Sequence, residues 1–432
     1  MRSDSQFTMR FHFALGIALV FGQRLGIPIG GLLVPINLIA IVIYLAYGFT
    51  KRQLTVAPRA LLIWTTFAAG AVVSTVLAVA PVSPLSLFQV LSYWIVLTCR
   101  TRQADALPAL ADGIALSTLA AAAFAVLQVA LSIGVGVFVD PFSGLRRDFL
   151  IAGYNTTYDV GPLGAWSKAN GGVFLEPSFL SLGCAVTMVL IAQGVAFALW
   201  SRSVRAVAML VLLGGIIAST ALSGLLLLPL VLLSIVRDLR LATLCTMGLA
   251  ALGTWLHSHD VVQAYLFRLS EGGSNDARLV RPYTDLLPLA LDARPLLGSG
   301  AGTADDMARR LTGGSWESEV TAPTLVKLVY EYGLIGLALL LALLGICIVG
   351  SRLPVLSRAA LLVMLLIPTN GLVNPLVTPV VLLVLAVAAP VEESIPIHAA
   401  VRGHGCKSVL PPGIRRAGHR DRRRKMWAGL HM

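Results

Sequence analysis

The sequence has little charge. Asp, Glu, Lys and Arg together make up 12% of its 432 residues, whereas hydrophobic residues make up 57%. Soluble domains average about 45–50% apolar residues, so the composition excludes an ordinary water-soluble fold. The long apolar runs are also almost free of charge, and a pump or ion-coupled transporter usually needs ionisable residues at membrane depth. The sequence therefore disfavours that class of membrane protein.

The sequence also lacks the patterns that hold disulfides or metal ions. Of its five cysteines, Cys184 and Cys245 fall inside apolar runs, Cys99 and Cys347 lie near the ends of such runs, and Cys406 lies in a basic tail. A disulfide framework places its cysteines in polar segments, so none is predicted. No spacing of His and Cys matches a zinc site, and we expect neither a metal nor an organic cofactor.

The formal net charge of +12 does not indicate a nucleic-acid-binding protein. Lys and Arg are scattered in pairs between apolar runs, whereas a nucleic-acid interface gathers them on one surface. Cytoplasmic loops of membrane proteins retain Lys and Arg, and short translocated loops lack them. Alternate connections carry the positive charge here, which predicts an even number of crossings with both termini in the cytoplasm.

Apolar runs of about 17 to 25 residues recur along the chain, and each is long enough to cross about 30 Å of hydrocarbon as a helix. We therefore predict an all-α fold, a polytopic membrane bundle of about 12 transmembrane helices over residues 1–391. The predicted helices lie near residues 11–29, 32–49, 60–80, 84–99, 113–138, 178–200, 204–219, 222–236, 239–256, 325–350, 359–369 and 376–391.

This topology has consequences for the polar parts of the chain. Two long segments, 139–177 and 257–323, are predicted to be periplasmic loops. Residues 392–432 are rich in Arg, Pro and Gly, which predicts a basic, disordered cytoplasmic tail lying against anionic lipid headgroups. The lipid bilayer is thus the first expected partner.

Four features of the sequence resemble a known family. They are, in order, GGVFLEPSFLS (Gly171 to Ser181), the spaced arginines Arg268, Arg278 and Arg281, RPLLGSGAGT (Arg294 to Thr303) and LVKLVYEYGLIGL (Leu325 to Leu337). Together they resemble the O-antigen ligase and polysaccharide polymerase superfamily. Its members are many-helix membrane proteins with a large external loop before the last few helices. The nearest branch is that of the xanthan-type exopolysaccharide polymerases.

The resemblance implies a membrane glycosyltransferase that joins undecaprenyl-pyrophosphate-linked oligosaccharide repeat units at the periplasmic face of the bacterial inner membrane. A flippase and the chain-length or export proteins of the same pathway would be further partners. Two alternatives stay open: a ligase that transfers glycan from a lipid carrier to another acceptor, and a non-enzymatic lipid-linked sugar translocase. Ligases of the superfamily carry a His before the post-loop helix, and EVTAPTL, from Glu319 to Leu325, has none. This departure disfavours the ligase.

Such a polymerase must stabilise the negative charge that grows on a departing lipid pyrophosphate, and arginine binds phosphate through two parallel hydrogen bonds. The predicted substrate-binding residues are Arg268, Arg278, Arg281, Arg146, Arg147, Gly298 and Gly300. The candidate general bases for the acceptor hydroxyl are Glu319 and Glu176. Pro282 favours an extended backbone at Arg281.

These residues also have structural interpretations. The arginines of the second loop can pair with the nearby acids Glu271, Asp276 and Asp285 on a solvated surface. The glycines can allow the loop to pack on the bundle. Glu176 precedes a predicted helix, where a carboxylate complements the positive end of the helix dipole.

Overall fold

The computed structural model describes residues 2–30, 32–151, 159–160, 166–236, 280–311, 322–366 and 372–389. This part of the chain is mostly helical. The predicted helix near residues 239–256 and the predicted tail 392–432 lie outside the described residues.

Fourteen α-helices are described. Short 3₁₀ turns at Gly22–Arg24 and Ile95–Thr98 extend α1 and α4, and a third turn, Arg147–Phe149, lies in the first long polar segment. The helices are α1 Arg2–Phe21, α2 Ile36–Thr50, α3 Pro58–Val76, α4 Pro84–Trp94, α5 Ala106–Val135, α6 Pro177–Ala192, α7 Arg202–Ser219, α8 Leu222–Leu225, α9 Leu228–Val236, α10 Leu287–Ala293, α11 Ala304–Leu311, α12 Thr324–Val349, α13 Val355–Leu366 and α14 Val377–Ala388. The sequence predicts that the sixth helix continues to about residue 200, but it ends at Ala192, since Gly194 adopts a left-handed φ of 70°.

The prediction that helices near residues 11–29 and 32–49 almost meet is wrong. An antiparallel hairpin separates them, in which β1 (Gly26–Ile29) pairs with β2 (Leu32–Pro35). Each strand contains a proline, which donates no helical hydrogen bond, and Gly30 between the strands has a φ of 57°. The apolar run thus contains a turn that its hydrophobicity does not reveal.

Two further strand pairs occur in the described residues. β3 (Leu54–Val56) pairs with β4 (Cys99–Thr101), and β5 (Asp159–Val160) pairs with β6 (Trp166–Ser167), both antiparallel. Each pair is two-stranded, so the strands fasten connections between helices and build no sheet layer.

Four helices in the described part of the chain are long and apolar enough to cross a membrane: α3, α5, α7 and α12. Shorter apolar helices, of 10–17 residues, comprise α2, α4 with its 3₁₀ extension, α6, residues Ser223–Val236, α13 and α14. A mostly helical chain built from such apolar segments is characteristic of a membrane protein.

The core lies around α6 and α14. Every residue of α14 is buried, and so are nearly all residues of α6. A helix that is apolar on all sides belongs inside a bundle. In agreement, α14 packs against α13, α5, α1 and α2, and α6 packs against α7, α5 and α13.

The start of α1, the connection between α2 and α3 and the approach to α5 lie together at one end of the bundle, where Gln53 donates to the Thr8 hydroxyl and β3 pairs with β4. The other ends of these helices lie at the opposite end. We call this the loop end; it carries the C-terminal ends of α1, α3 and α5 and the N-terminal ends of α6 and α12. Here the Ile151 N–H donates to the Arg24 carbonyl, and the Ser83 N–H donates to the Ala301 carbonyl. The described parts of both long polar segments therefore cover the same end of the protein.

Candidate functional site

The helix α12 is broken in its first half. Gly333 has φ 67° and ψ −174°, which is not helical. In a continuous helix the N–H groups of Leu334 and Ile335 would donate four residues back. They donate instead to the carbonyls of Pro295 and Leu296, with N···O distances of 2.8 and 3.3 Å.

The carbonyls on the other side of the break are satisfied by the same incoming segment. The Tyr330 carbonyl accepts from the Ser299 N–H at 2.8 Å, and the Glu331 carbonyl accepts from the Gly300 N–H at 2.9 Å. The Ser74 hydroxyl of α3 also donates to the Glu331 carbonyl, at 3.0 Å. Unpaired backbone groups are very costly away from water, so residues 295–300 act as the missing partner of the broken helix.

Two of the predicted substrate-binding residues, Gly298 and Gly300, lie in this inserted segment. Both have positive φ, 71° and 98°, a conformation that favours glycine. A Cβ at Gly298 would lie 2.5 Å from the Glu331 carbonyl carbon, and one at Gly300 would lie 3.0 Å from the Cβ of Ala78. These glycines pack the loop on α12 and α3, and their contact with sugar or phosphate stays a prediction.

Two arginines fasten the same segment to the end of α3. Arg294 donates to the Leu77 carbonyl at 2.7 Å, and Arg310 donates to the Val79 carbonyl at 3.1 Å. Both carbonyls belong to the connection between α3 and α4, where cations complement the free carbonyls at a helix C-terminus. Neither arginine was in the predicted substrate-binding set, although Arg294 opens the RPLLGSGAGT motif.

A buried ion pair lies on α12 next to the break. Lys327 Nζ is 3.6 Å from Glu331 Oε1, and the two side chains are 12% and 0% exposed. Sequence reasoning missed this pair. The sequence does contain a signal for the pair. A Lys and a Glu lie four residues apart within an apolar run, and this spacing puts both on one helix face.

Arg281 lies at the edge of this region. A single π-helical turn, Pro282–Leu286, follows it and leads into α10, which packs on α12. The expectation of an extended backbone is wrong, because Arg281 has the helical values φ −55° and ψ −35°. The continuing turn outweighs the steric preference that Pro282 imposes.

The Arg281 side chain is paired with an acid. Its Nε lies 3.2 Å from Asp285 Oδ2, and both side chains are 43% exposed. The Thr284 hydroxyl donates to the same carboxylate, and this hydrogen bond, followed by the Arg281 guanidinium, lowers the pKa of Asp285. This geometry is the one expected from the structural interpretation, and the phosphate clamp stays a prediction for Arg281.

A second polar cluster lies around Arg24, at the end of α1. Its guanidinium is 5% exposed in the side chain and binds both carboxylate oxygens of Asp140, at 2.9 and 2.8 Å. It also donates to the Gly172 carbonyl and lies 5.0 Å from the ring centroid of Phe142. Arg24 therefore joins α1, the start of the first long segment and the approach to α6.

Buried amides hold the approach to α6 in place. Gln128 accepts from the Gly171 N–H at 2.9 Å, and Asn170 donates to the Phe174 carbonyl at 3.0 Å. Gln23 accepts from the Leu175 N–H at 3.4 Å. All three amide side chains belong to residues that are fully buried, so the backbone that leads into α6 is fixed by polar contacts rather than by packing alone.

Glu176, a predicted general base, follows this segment directly. It is the N-cap residue of α6, is 8% exposed, and its Oε2 accepts from the Ser178 hydroxyl at 2.9 Å. The Ser178 carbonyl in turn accepts from the Ser223 hydroxyl at 2.9 Å. The position agrees with the dipole interpretation, and the catalytic role stays a prediction.

The remaining predicted residues are exposed or lie outside the described residues. Arg146 and Arg147 are exposed, and Arg146 pairs with Asp148 at 2.7 Å. Those outside the described residues are Arg268, Arg278 and Glu319.

A crevice between helices reaches the core of the bundle. It lies among α1, α5, α6, α13 and α14, and its lining is apolar except for Thr118 and Thr187. Within the described residues, His, Cys, Asp and Glu side chains form no group of three that would hold a metal ion. The polar clusters of the loop end are the candidate site in the part of the chain that the structure describes.

No protein-family model and no curated protein matches the chain.

Proposed function

We propose that this protein is an exopolysaccharide polymerase, a membrane glycosyltransferase that joins undecaprenyl-pyrophosphate-linked repeat units at the periplasmic face of a bacterial inner membrane. One observation carries the proposal. The two motifs that most resemble the polymerase superfamily, RPLLGSGAGT and LVKLVYEYGLIGL, exchange backbone hydrogen bonds at the break in α12. Motifs that begin 31 residues apart in sequence thus form one structural unit, which includes Arg294 and Lys327 and has Arg281 at its edge.

The chemistry requires cations at such a unit. The acceptor hydroxyl oxygen attacks the anomeric carbon of the donor sugar, and the bond from that carbon to the lipid diphosphate breaks. The diphosphate leaves with the bonding electrons, and the hydroxyl proton passes to a base. Fixed positive charge lowers the energy of this leaving group. A carboxylate such as Glu176 or Glu319 would accept the proton.

The proposed topology has twelve crossings. The four long helices and the six shorter apolar helices would supply ten of them. Helix α1 would supply one more, and the apolar run near residues 239–256 the last. The distribution of Lys and Arg supports cytoplasmic termini and a periplasmic loop end. A flippase that delivers the repeat units and chain-length or export proteins that receive the product are the proposed partners.

Two other functions are less well supported. A translocase for lipid-linked sugars needs a charged, hydrophilic path through the membrane, and the apolar runs of this sequence are almost free of charge. A ligase shares the proposed donor chemistry, but its characteristic His is missing between Glu319 and Leu325.

The test is polymerisation by the purified protein. Lipid-linked repeat units are supplied as both donor and acceptor, and products are separated by size. A ladder of longer glycans is expected, and Arg281→Ala or Arg278→Ala should abolish it while the protein still inserts into membranes. Transfer of a single block to a foreign acceptor, without a ladder, would instead identify a ligase. An unchanged ladder in both variants would show that these arginines do not bind the leaving diphosphate.

A further inference from the structure

Lys327 occupies a position that helix energetics disfavour. It lies in the first turn of α12, which begins at Thr324, and a cation there meets the positive end of the helix dipole. Its partner Glu331 lies four residues later. For ion pairs of this spacing, Lys before Glu is the less favourable order. Helix stability therefore does not account for the pair.

Burial does not account for the pair either. The Nζ–Oε1 distance of 3.6 Å exceeds the roughly 2.7–2.9 Å of a charge-assisted hydrogen bond. Both carboxylate oxygens of Glu331 are buried. A buried ion pair can often be replaced by apolar residues with no loss of stability. Side chains that break local rules in this way are expected at functional sites.

The pair lies close to another cation of the loop end. Ser74 binds the Glu331 carbonyl, and three residues later the Leu77 carbonyl binds Arg294. Three helical residues advance the chain by about 4.5 Å, so Arg294 and Lys327 belong to one region. The carboxylate of the pair is fully buried, whereas part of the Lys327 side chain reaches the surface. Within the pair, the cation is therefore the accessible member.

We propose that Lys327 is a substrate-contacting cation that binds the diphosphate of the lipid-linked donor, and that Glu331 positions its ammonium group. This inference rests on the proposed function. Lysine binds phosphate as a point charge, and its long side chain needs a fixed partner to be held in one place. Glu331 supplies that partner from inside the protein, without occupying the surface that the diphosphate approaches.

Binding of undecaprenyl diphosphate to the purified protein in detergent tests the proposal. Removing Lys327 alone would leave Glu331 as an unpaired buried charge and would destabilise the fold. The informative variant is therefore K327M/E331Q, which removes both charges and keeps similar side-chain volumes. Its matched control is Arg59→Ala, which removes an exposed cation at the opposite end of α3.

The loss of one charged phosphate contact should weaken binding roughly ten- to hundredfold in K327M/E331Q. Arg59→Ala should bind as the wild type does. Undecaprenol, which lacks phosphate, should bind both variants equally, and inorganic pyrophosphate should not compete at equal concentration, because it lacks the lipid. Glu331→Gln alone should raise the KM for the donor about three- to tenfold with little change in kcat, since the charge stays but its position is loosened.

A second measurement uses the wild-type protein, so it does not depend on whether the double variant folds. Acetylation of lysines is followed by mass spectrometry, and undecaprenyl diphosphate should protect Lys327 but not the exposed Lys51. If K327M/E331Q bound the lipid with the same affinity as the wild type, or if the lipid did not change the acetylation of Lys327, the proposed role of Lys327 would be wrong. Neither result would contradict the proposed polymerase function. A wild-type protein that does not bind undecaprenyl diphosphate would overturn the polymerase itself and this inference with it.

Discussion

The two polar clusters of the loop end hold their charges in different ways. Arg24 is matched by both oxygens of Asp140 and by the Gly172 carbonyl at hydrogen-bond distance. Lys327 and Glu331 stay 3.6 Å apart, although the backbone around them is fully engaged at the break in α12. The difference indicates that a buried charge can have either a structural role or a binding role. The Arg24 cluster holds separate parts of the chain together, whereas the proposed role of the Lys327 pair is to hold a positive charge for the diphosphate of the substrate.

The largest effect is expected from breaking the Arg24 cluster. Asp140→Leu leaves the guanidinium of Arg24 buried without its counter-ion, which should cost about 3–5 kcal/mol of unfolding free energy. The double variant R24M/D140L should recover most of that stability, because no charge is then buried. Thermal unfolding in detergent measures both. A stable Asp140→Leu variant that has lost polymerisation would reverse the comparison and assign a binding role to Arg24.

The next effect concerns the break in α12. Gly333→Ala places a Cβ against the Leu296 carbonyl in a left-handed conformation, and should destabilise the protein by at least about 2 kcal/mol, from backbone strain together with steric overlap. Gly345→Ala is the matched control in the same helix, since nothing lies within 4 Å of its added Cβ. Equal unfolding temperatures for the two variants would show that the break is not required.

A smaller effect is expected at the attachment of residues 294–311 to α3. Arg294→Ala loses the exposed hydrogen bond to the Leu77 carbonyl, which should cost about 1 kcal/mol. Hydrogen exchange of the segment should become faster while exchange in α6 stays unchanged. Arg202→Ala, an exposed cation at the start of α7, should change neither. Unaltered exchange in Arg294→Ala would show that the backbone hydrogen bonds and Arg310 hold the segment without Arg294.

The smallest effect belongs to the exposed pair of Arg281 and Asp285. Because the pKa of Asp285 is lowered in the folded protein, its contribution to stability is present above the unfolded pKa and is lost as the pH falls through the folded pKa. Asp285→Asn should therefore remove a slight acid dependence of the unfolding temperature below about pH 4. At neutral pH the variant should polymerise normally if Arg281 binds phosphate without this acid. A strong loss would show that Asp285 orients the guanidinium.

Much of the fold follows from hydrophobicity, because a helix that crosses lipid must be apolar along its whole length. The apolar runs that became α3, α5 and α12 were predicted near their observed positions. The β1–β2 hairpin was not, since a hairpin in an apolar run has the same composition as a helix. The break at Gly333 was missed for the same reason: one glycine in a hydrophobic run does not reveal that the chain turns there.

The candidate site was predictable only in part. The resemblance directed attention to Gly298 and Gly300, but not to the carbonyl groups of α12 that they approach. Arg24 and Asp140 are separated by 116 residues, and no local pattern joins two side chains so far apart. Lys327 was passed over because an apolar run with one Lys and one Glu still has the hydropathy of a membrane span.

The exchanged hydrogen bonds of α12 have a consequence for biosynthesis. The carbonyls of Tyr330 and Glu331 and the N–H groups of Leu334 and Ile335 find their partners in residues 295–300, which leave the ribosome before α12 does. A helix that entered lipid alone would carry four exposed polar groups at the break. Helix α12 must therefore insert and fold together with residues 295–300. A chain that ends at residue 293 should not assemble with α12 when α12 is expressed as a separate piece.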